Sequence, residues 1–178
     1  TLALNALMFL YNKFLEMPVE NLGEFRRAFT PRKLPVVLTG AEVHQLLRQL
    51  SGMQWLLASL IYGSGLRRIE AVRLRVKDVD FDHLSLRIWL SKGFKHRVTT
   101  LAPELVPMLK AQIEQVRAFF EKDKLSVGYA GVYIPEALSR KYPTAAQTLG
   151  WQYLFPSSKM SIQKETGLLR RHHLDESR

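Results

Sequence analysis

Residues 62–80 read YGSGLRRIEAVRLRVKDVD, and the interpretation of the chain starts from this stretch. Gly63 and Gly65 predict a tight turn between two helices, because glycine adopts backbone conformations that other residues avoid. The turn is expected to place Arg67 in the first turn of the second helix, where backbone N–H groups also favour an anion. Glu70 lies three residues further on, on the same helix face, and is expected to orient the guanidinium. The stretch therefore predicts a positioned arginine.

The composition is that of a folded, basic protein. The 178 residues are 47% hydrophobic and 24% charged, and 26 Lys and Arg against 16 Asp and Glu give a formal charge of +10. This balance favours a polyanionic partner, with nucleic acid ahead of an anionic membrane surface or a purely solubilising charge. The absence of cysteine excludes disulfides and thiolate metal sites. Without a signal peptide or a membrane-length apolar run, we interpret the sequence as part of an intracellular protein.

Two segments precede the main domain. Residues 1–16 carry apolar side chains at helical spacing and are interpreted as the last helix of a preceding, SAM-like core-binding domain. Residues 17–37 contain several prolines and are interpreted as a linker, with the main domain over residues 38–178. The linker carries a basic cluster that is either a solvated loop or a strap against phosphates: Arg26, Arg27, Arg32 and Lys33.

The sequence of the main domain predicts a mixed, mainly α fold with a small antiparallel β-sheet (α+β). Thr39 and Glu42 have the spacing of a capping box at the start of a helix. Apolar periodicity predicts further helices over residues 53–62 and from Pro103 to about Lys122. Between them, residues 79–101 alternate apolar and polar side chains, which indicates two or three short antiparallel strands.

Residues 91–96, SKGFKH, form the predicted tip of a hairpin. Gly93 supplies the turn, and the basic side chains around it include Lys92, Lys95 and Arg97. Such a cationic tip reaches into a nucleic-acid groove, or else it is an edge kept soluble by its charge.

A long interrupted segment follows the last predicted helix. Residues 125–159 are broken by glycine and proline, with a short helix predicted over 135–141. They are also rich in aromatic side chains, including Trp151. Because connections of this length are uncommon in compact domains, the segment is interpreted as an insertion with a function.

Several motifs together resemble one family. GLRRIE at 65–70, with Leu74, Asp78 and the Lys-Gly pair at 92–93, is similar to the first half of the tyrosine recombinase (phage integrase) catalytic domain. The approach LPVVLT, and ALSRKYP, WQYLFPSS and LLRRHHLDES in the insertion at about 125–173, resemble the integron integrases.

The resemblance implies a chemistry. In this family a tyrosine attacks a DNA phosphodiester, leaving a 3′-phosphotyrosine and a free 5′-hydroxyl, with no metal and no cofactor. By resemblance Arg67 is a phosphate ligand supported by Glu70, and Lys92 is the general acid for the departing oxygen. Integron integrases act in the bacterial cytoplasm as synaptic tetramers that integrate and excise gene cassettes.

The resemblance does not extend to the second half of the family's catalytic site. The family's L-x-H-x-x-R box and nucleophilic tyrosine have no counterpart, because the residues three beyond His172 and His173 are Asp175 and Glu176. We therefore expect a partial catalytic domain that is inactive alone, and full-length protein that is the enzyme.

The insertion implies DNA partners of two kinds, a duplex integration site and a folded single-stranded cassette site. Trp151, His172 and His173 are predicted to contact unpaired bases, although core packing or an ordinary surface position also explains them. Arg140 and Lys141 are predicted phosphate contacts.

Two other functions remain open. A metal-dependent nuclease would use Glu70, Asp78, Asp80 and Lys92, but no E-x-K motif follows on the next strand. A DNA-binding module without catalysis is the other alternative.

Overall fold

The computed structural model describes residues 2–18, 36–91, 95–164 and 166–175. Five predicted functional residues lie outside these ranges: Arg26, Arg27, Arg32, Lys33 and Lys92. The chain divides after Leu38 into two compact units. The first contains helix α1 (Leu2–Phe9), which continues as a π-helical turn over Leu10–Phe14.

The second unit begins with three helices. They are α2 (Gly40–Arg48), α3 (Gly52–Ser64) and α4 (Arg68–Val72). The predicted capping box at the start of α2 is confirmed, since the Thr39 N–H donates to Glu42 Oε2 at 2.8 Å and the Glu42 N–H donates to Thr39 Oγ1 at 3.3 Å. Helix α3 extends one residue before and two residues beyond the predicted 53–62.

The predicted antiparallel strands are confirmed as a three-stranded sheet in the order β1-β2-β3. The strands are β1 (Val79–Asp80), β2 (Ser85–Ser91) and β3 (Lys95–Thr100). On β2 the side chains alternate: Leu86 and Ile88 are buried, while Arg87 and Trp89 are exposed on the opposite face. One face of the sheet therefore joins the core and the other stays accessible.

Helix α5 (Val106–Lys124) is the long helix that the sequence predicts, preceded by a 3₁₀ turn over Pro103–Leu105. After it come α6 (Glu136–Lys141), two 3₁₀ turns over Ala145–Gln147 and Leu149–Trp151, and an antiparallel pair. That pair, β4 (Pro156–Ile162) with β5 (Leu169–His173), was not predicted from the sequence. The fold is thus mainly α with small antiparallel sheets, as expected.

The main core lies between α3, α5 and the buried face of the sheet. Its fully buried side chains include Leu60, Leu86, Leu109 and Phe155. Burial of each such side chain stabilises the fold by about 1.5–3 kcal/mol. Phe155 is part of the insertion, so the insertion contributes to the main core.

A smaller cluster lies within the insertion, formed by Val132, Ile134, Ala145 and Tyr153. Gly131 makes its close packing possible: its φ is +79°, and a Cβ there would lie 2.2 Å from the carbonyl oxygen of Ala146. Within the described residues, no helix is long and apolar enough to cross a membrane.

Candidate catalytic site and nucleic-acid interface

The glycine turn positions Arg67 as the cap of a short helix. Gly65 ends α3 in the left-handed conformation, with φ +59° and ψ 40°, which reverses the chain direction at little cost for glycine. Arg67 is the N-cap residue of α4 and has extended backbone geometry. It therefore lies one position before the first helical turn in which the sequence placed it.

Glu70 orients Arg67, as the spacing predicted. The Glu70 side chain is 5% exposed and the Arg67 side chain 53% exposed. Arg67 Nη1 donates to Glu70 Oε1 at 2.7 Å, and the Arg67 backbone N–H donates to Glu70 Oε2 at 2.8 Å. The same carboxylate thus fixes both the backbone and the side chain of Arg67, while half of that side chain faces solvent.

A second arginine reaches Glu70 from the sheet. Arg97 on β3 donates from Nη1 to Glu70 Oε1 at 3.0 Å and from Nη2 to Glu70 Oε2 at 2.8 Å. Its Nη2 also donates to the carbonyl oxygen of Gly65 at 3.2 Å. The sequence assigned Arg97 to DNA binding, and that contact remains a prediction; the structure adds an ion pair with Glu70.

Thr99 ties the same strand to the end of α3. Its Oγ1 donates to the carbonyl oxygen of Ser64 at 2.8 Å. Because the last carbonyl groups of a helix lack partners within the helix, Arg97 and Thr99 act as side-chain caps of α3. Strand β3 is therefore joined directly to residues 65–70, which we call the arginine turn.

On the exposed side of the sheet, Lys77 lies between two tryptophan rings. Its Nζ is 4.3 Å from the centroid of Trp151 and 5.0 Å from that of Trp89. Asp78, which is 3% exposed, accepts a hydrogen bond from Trp89 Nε1 at 2.7 Å. His96 packs edge-on against Trp89, with ring centroids 5.1 Å apart. Cationic and aromatic groups thus alternate on an accessible surface.

Trp151 has both a packed and an accessible side. It contacts the insertion cluster and is partly buried. Its other neighbours are cations, since the Arg75 guanidinium carbon lies 5.4 Å from its centroid in addition to Lys77. Trp151 therefore packs against the insertion cluster and also contacts two cations, and base contact remains a prediction.

Arg75 anchors the insertion. Nη1 donates to the carbonyl oxygen of Trp151 at 2.6 Å, and Nη2 donates to that of Tyr133 at 2.8 Å. The guanidinium also lies over the Tyr153 ring, 4.6 Å from its centroid. Burial lowers the pKa of Arg75 below its ordinary value, because desolvation disfavours the charged form. Arg75 therefore has a structural role in holding the insertion.

The predicted histidine pair lies on β5. His173 packs edge-on against Tyr153, with ring centroids 5.2 Å apart, and its Nδ1 donates to the carbonyl oxygen of Leu174 at 2.7 Å. The His172 and His173 ring centroids are 6.4 Å apart and both residues are partly buried. A contact of either ring with a base stays a prediction.

A buried ion pair attaches β5 to α5. Arg171 Nη2 donates to Asp123 Oδ1 at 2.6 Å, and Arg171 Nε donates to the other oxygen of the same carboxylate. The side chains are 8% and 2% exposed. Nearby, Tyr129 donates to Gln152 Oε1 at 3.2 Å. Burial, assisted by the Asp123 charge, raises the pKa of Tyr129 to about 12.

The carboxylates of the nuclease alternative have separate structural partners. Glu70 binds two arginines, and Asp78 accepts from the Trp89 indole and from the Arg75 backbone N–H at 2.9 Å. Asp80 binds His83 and Arg87. Within the part of the chain that the structure describes, no three His, Cys, Asp or Glu residues form a group able to hold a metal ion.

The remaining predicted DNA ligands are dispersed. Lys95 is the first residue of β3 and pairs with Ser91. Arg140 and Lys141 lie at the end of α6, where Arg140 Nη2 is 3.6 Å from Glu136 Oε1 and Lys141 Nζ is 5.4 Å from the Tyr142 centroid. Both are exposed, and their phosphate contacts remain predictions.

The sequence interpretation missed Arg75, Lys77 and Trp89. Arg75 contacts partners 58 and 76 residues away, so no local spacing identifies it. Trp89 did carry a signal: it occupies a polar-facing position of a strand whose neighbours Leu86 and Ile88 face the core. A large aromatic side chain on that face is a candidate for contact with a partner.

Comparisons with known proteins show which family the chain resembles. Residues 36–174 match the model of the phage integrase family. An "Integrase/recombinase" from Escherichia coli and one from Pseudomonas aeruginosa are each 42% identical over 172 residues, 97% of this chain and 51% of theirs. A tyrosine recombinase XerA from Thermococcus kodakarensis is 36% identical over 94 residues, 51% of this chain and 31% of the relative.

A solved structure shares the fold. The crystal structure of a XerA recombinase superposes with a TM-score of 0.50 at 22% identity, covering 99% of this chain and 49% of that one. The chain thus spans about half the length of the integrase/recombinase relatives that it matches. On the family match over most of its residues, the chain belongs to the phage integrase family, the tyrosine recombinases.

Proposed function

We propose that this chain provides the first half of the catalytic site of a site-specific DNA recombinase of the integron integrase type. The observation that carries the proposal is the arginine turn: Arg67 is fixed by a buried carboxylate while 53% of its side chain faces solvent. A cation held in place before the substrate arrives stabilises the charge that develops on a phosphate in the transition state. Arg67 is the proposed ligand of the non-bridging oxygens.

The reaction proposed is cutting and rejoining of DNA through a 3′-phosphotyrosine. Lys92, which follows the last residue of β2 in the sequence, is the proposed general acid for the departing 5′ oxygen. DNA is the proposed partner, in support of which the chain has a formal charge of +10. Phosphate contacts are proposed for the basic linker, Lys95, Arg140 and Lys141. The complete protein is proposed to assemble into a synaptic tetramer in the bacterial cytoplasm.

The insertion supports the integron type. Trp151 and Trp89, with Lys77 over both rings, combine aromatic side chains and a cation on one surface, which is the chemistry that binds unpaired bases. His172 and His173 on β5 are proposed to extend this surface. A folded single-stranded cassette site offers such bases, whereas a duplex keeps its bases stacked inside.

The first test is Arg67→Ala in the complete protein. We expect cleavage to fall by about 10²–10³-fold, because one preorganised phosphate ligand is lost. Site binding should persist, since many other contacts to the DNA backbone remain. Arg73→Ala is the matched control: it removes the same charge from an exposed position six residues away. Wild-type cleavage by Arg67→Ala would refute the assignment.

The second test is Trp151→Ala, assayed for recombination on folded single-stranded and on duplex sites. We expect a loss on the folded site that exceeds the loss on the duplex by about 10-fold or more, given the stacking energy of one base. Trp151→Leu keeps apolar volume for the insertion cluster and should show the same selective loss. Equal losses on both sites would indicate a purely structural tryptophan.

A further inference from the structure

Two arginines share the buried carboxylate of Glu70, and only Arg67 is proposed to bind the phosphate that reacts. We propose that Arg97 is a positioning residue that acts through Glu70 to hold Arg67 in its phosphate-binding orientation. The inference rests on the proposed function of Arg67 and assigns to Arg97 a role in addition to the DNA contact predicted from its charge.

The first support is the geometry at the carboxylate. Four hydrogen bonds join Glu70 to the two arginines: each of its oxygens accepts one bond from Arg67 and one from Arg97. A carboxylate has about four lone-pair sites, so Arg97 occupies a large share of its capacity. The bidentate fork of Arg97 therefore limits where Glu70, and with it Arg67, can lie.

The second support is that Arg97 is itself held in place. Arg97 pairs with Ile88 across the hairpin, and Ile88 is 3% exposed in the main core. Its Nη2 also donates to Gly65, and Thr99 two residues along donates to Ser64. Its position is thus set by the sheet and by the end of α3, so that Arg67 is connected through Glu70 to the rigid part of the domain.

The third support is the charge of the cluster. Glu70 contributes one negative charge and the two arginines contribute two positive charges, which leaves one net positive charge facing a phosphate. Loss of Arg97 would leave a neutral pair. A lysine would restore the charge, but its single ammonium cannot reproduce the planar fork that contacts both oxygens. Lysine and glutamine replacements therefore separate charge from geometry.

The test uses the 178-residue chain labelled with ¹⁵N, with the Arg67 Nε–Hε signal as the readout and inorganic phosphate as the probe. The variants are Arg97→Lys and Arg97→Gln. Arg87→Gln is the matched control, because Arg87 lies on the neighbouring strand, pairs with Asp80 at 2.8 Å and carries the same charge. Amide spectra report whether each variant is folded. If Arg97→Gln does not fold, the test is made with Arg97→Lys alone.

We expect the Arg67 signal to shift in both Arg97 variants without phosphate, and the phosphate dissociation constant to rise about 10-fold in both, as for a lost charge-assisted hydrogen bond. Arg87→Gln should retain the wild-type signal. An unchanged Arg67 signal and affinity in Arg97→Lys would overturn the inference. If phosphate leaves the wild-type signal unmoved, the proposed function of Arg67 fails instead, and the shift without phosphate still tests the positioning role.

Discussion

The arginine turn and the insertion use the same side chain in opposite ways. In the turn, Arg67 is held by Glu70 while half of its side chain remains exposed. In the insertion anchor, Arg75 and Arg171 direct their guanidinium groups at carbonyl oxygens, aromatic rings and a carboxylate of the protein itself. The arginine turn thus keeps a cation accessible to a ligand, whereas in the insertion the arginines stabilise the fold.

This difference shows that the count of 26 Lys and Arg overstates the number of cations available to an anionic partner. Arg171 is 7% exposed and neutralised by Asp123, so it adds nothing to an electrostatic footprint. Because Arg75 and Arg171 bind groups of the protein itself, substitution of these arginines or of their partners should lower the free energy of unfolding.

The largest effect is expected for Asp123→Ala. Loss of the carboxylate leaves the Arg171 guanidinium buried without its partner, which should lower the free energy of unfolding by about 3–5 kcal/mol. Chemical denaturation measures the change. The control is Glu114→Ala on the same helix, where Glu114 forms an exposed pair with Arg117 and should contribute about 0–1 kcal/mol. Similar losses in the two variants would contradict the distinction.

A smaller effect is expected for Arg75→Leu. The carbonyl oxygens of Trp151 and Tyr133 lose their donor, so we expect the free energy of unfolding to fall by about 2–3 kcal/mol. Arg73→Leu removes an arginine from an exposed position two residues earlier and should stay within about 0.5 kcal/mol of the wild type. Arg75 would have to be reassigned to ligand binding if Arg75→Leu proved as stable as Arg73→Leu.

The smallest effect concerns pH and Tyr129. Its pKa is raised to about 12 in the folded protein, above the ordinary value of about 10. The folded state holds the phenolic proton more tightly, so its contribution to stability is complete below pH 10 and is lost as the pH rises towards 12. Ultraviolet titration at high pH should show late ionisation of Tyr129, a phase that is absent in Tyr129→Phe. A Tyr129→Phe protein with an unchanged titration curve would contradict this assignment.

The arginine turn was predictable because its contacts are local. Gly65, Arg67 and Glu70 lie within six residues, so the local geometry at the start of α4 places the carboxylate against the guanidinium. The Arg97 contact was missed because it depends on the register of β3 and joins residues that are 27 positions apart in the sequence. Sequence spacing identified Arg97 as a cation but carried no information on its partner.

The insertion was harder to predict for a related reason. Strands β4 and β5 show little alternation, with exposed and partly exposed residues along most of β4, so the period of two was not visible. The aromatic richness of the segment did not separate Tyr153, which is 5% exposed, from Trp151, which is only partly buried. Tertiary contacts made that distinction.

The Arg75 anchor has a consequence for how the insertion tolerates substitutions. Its two shortest hydrogen bonds are with the backbone carbonyl oxygens of Trp151 and Tyr133, which every amino acid supplies. Replacing the side chains at these positions leaves the acceptors in place. The insertion can therefore accumulate substitutions on its accessible surface while remaining attached to the same scaffold.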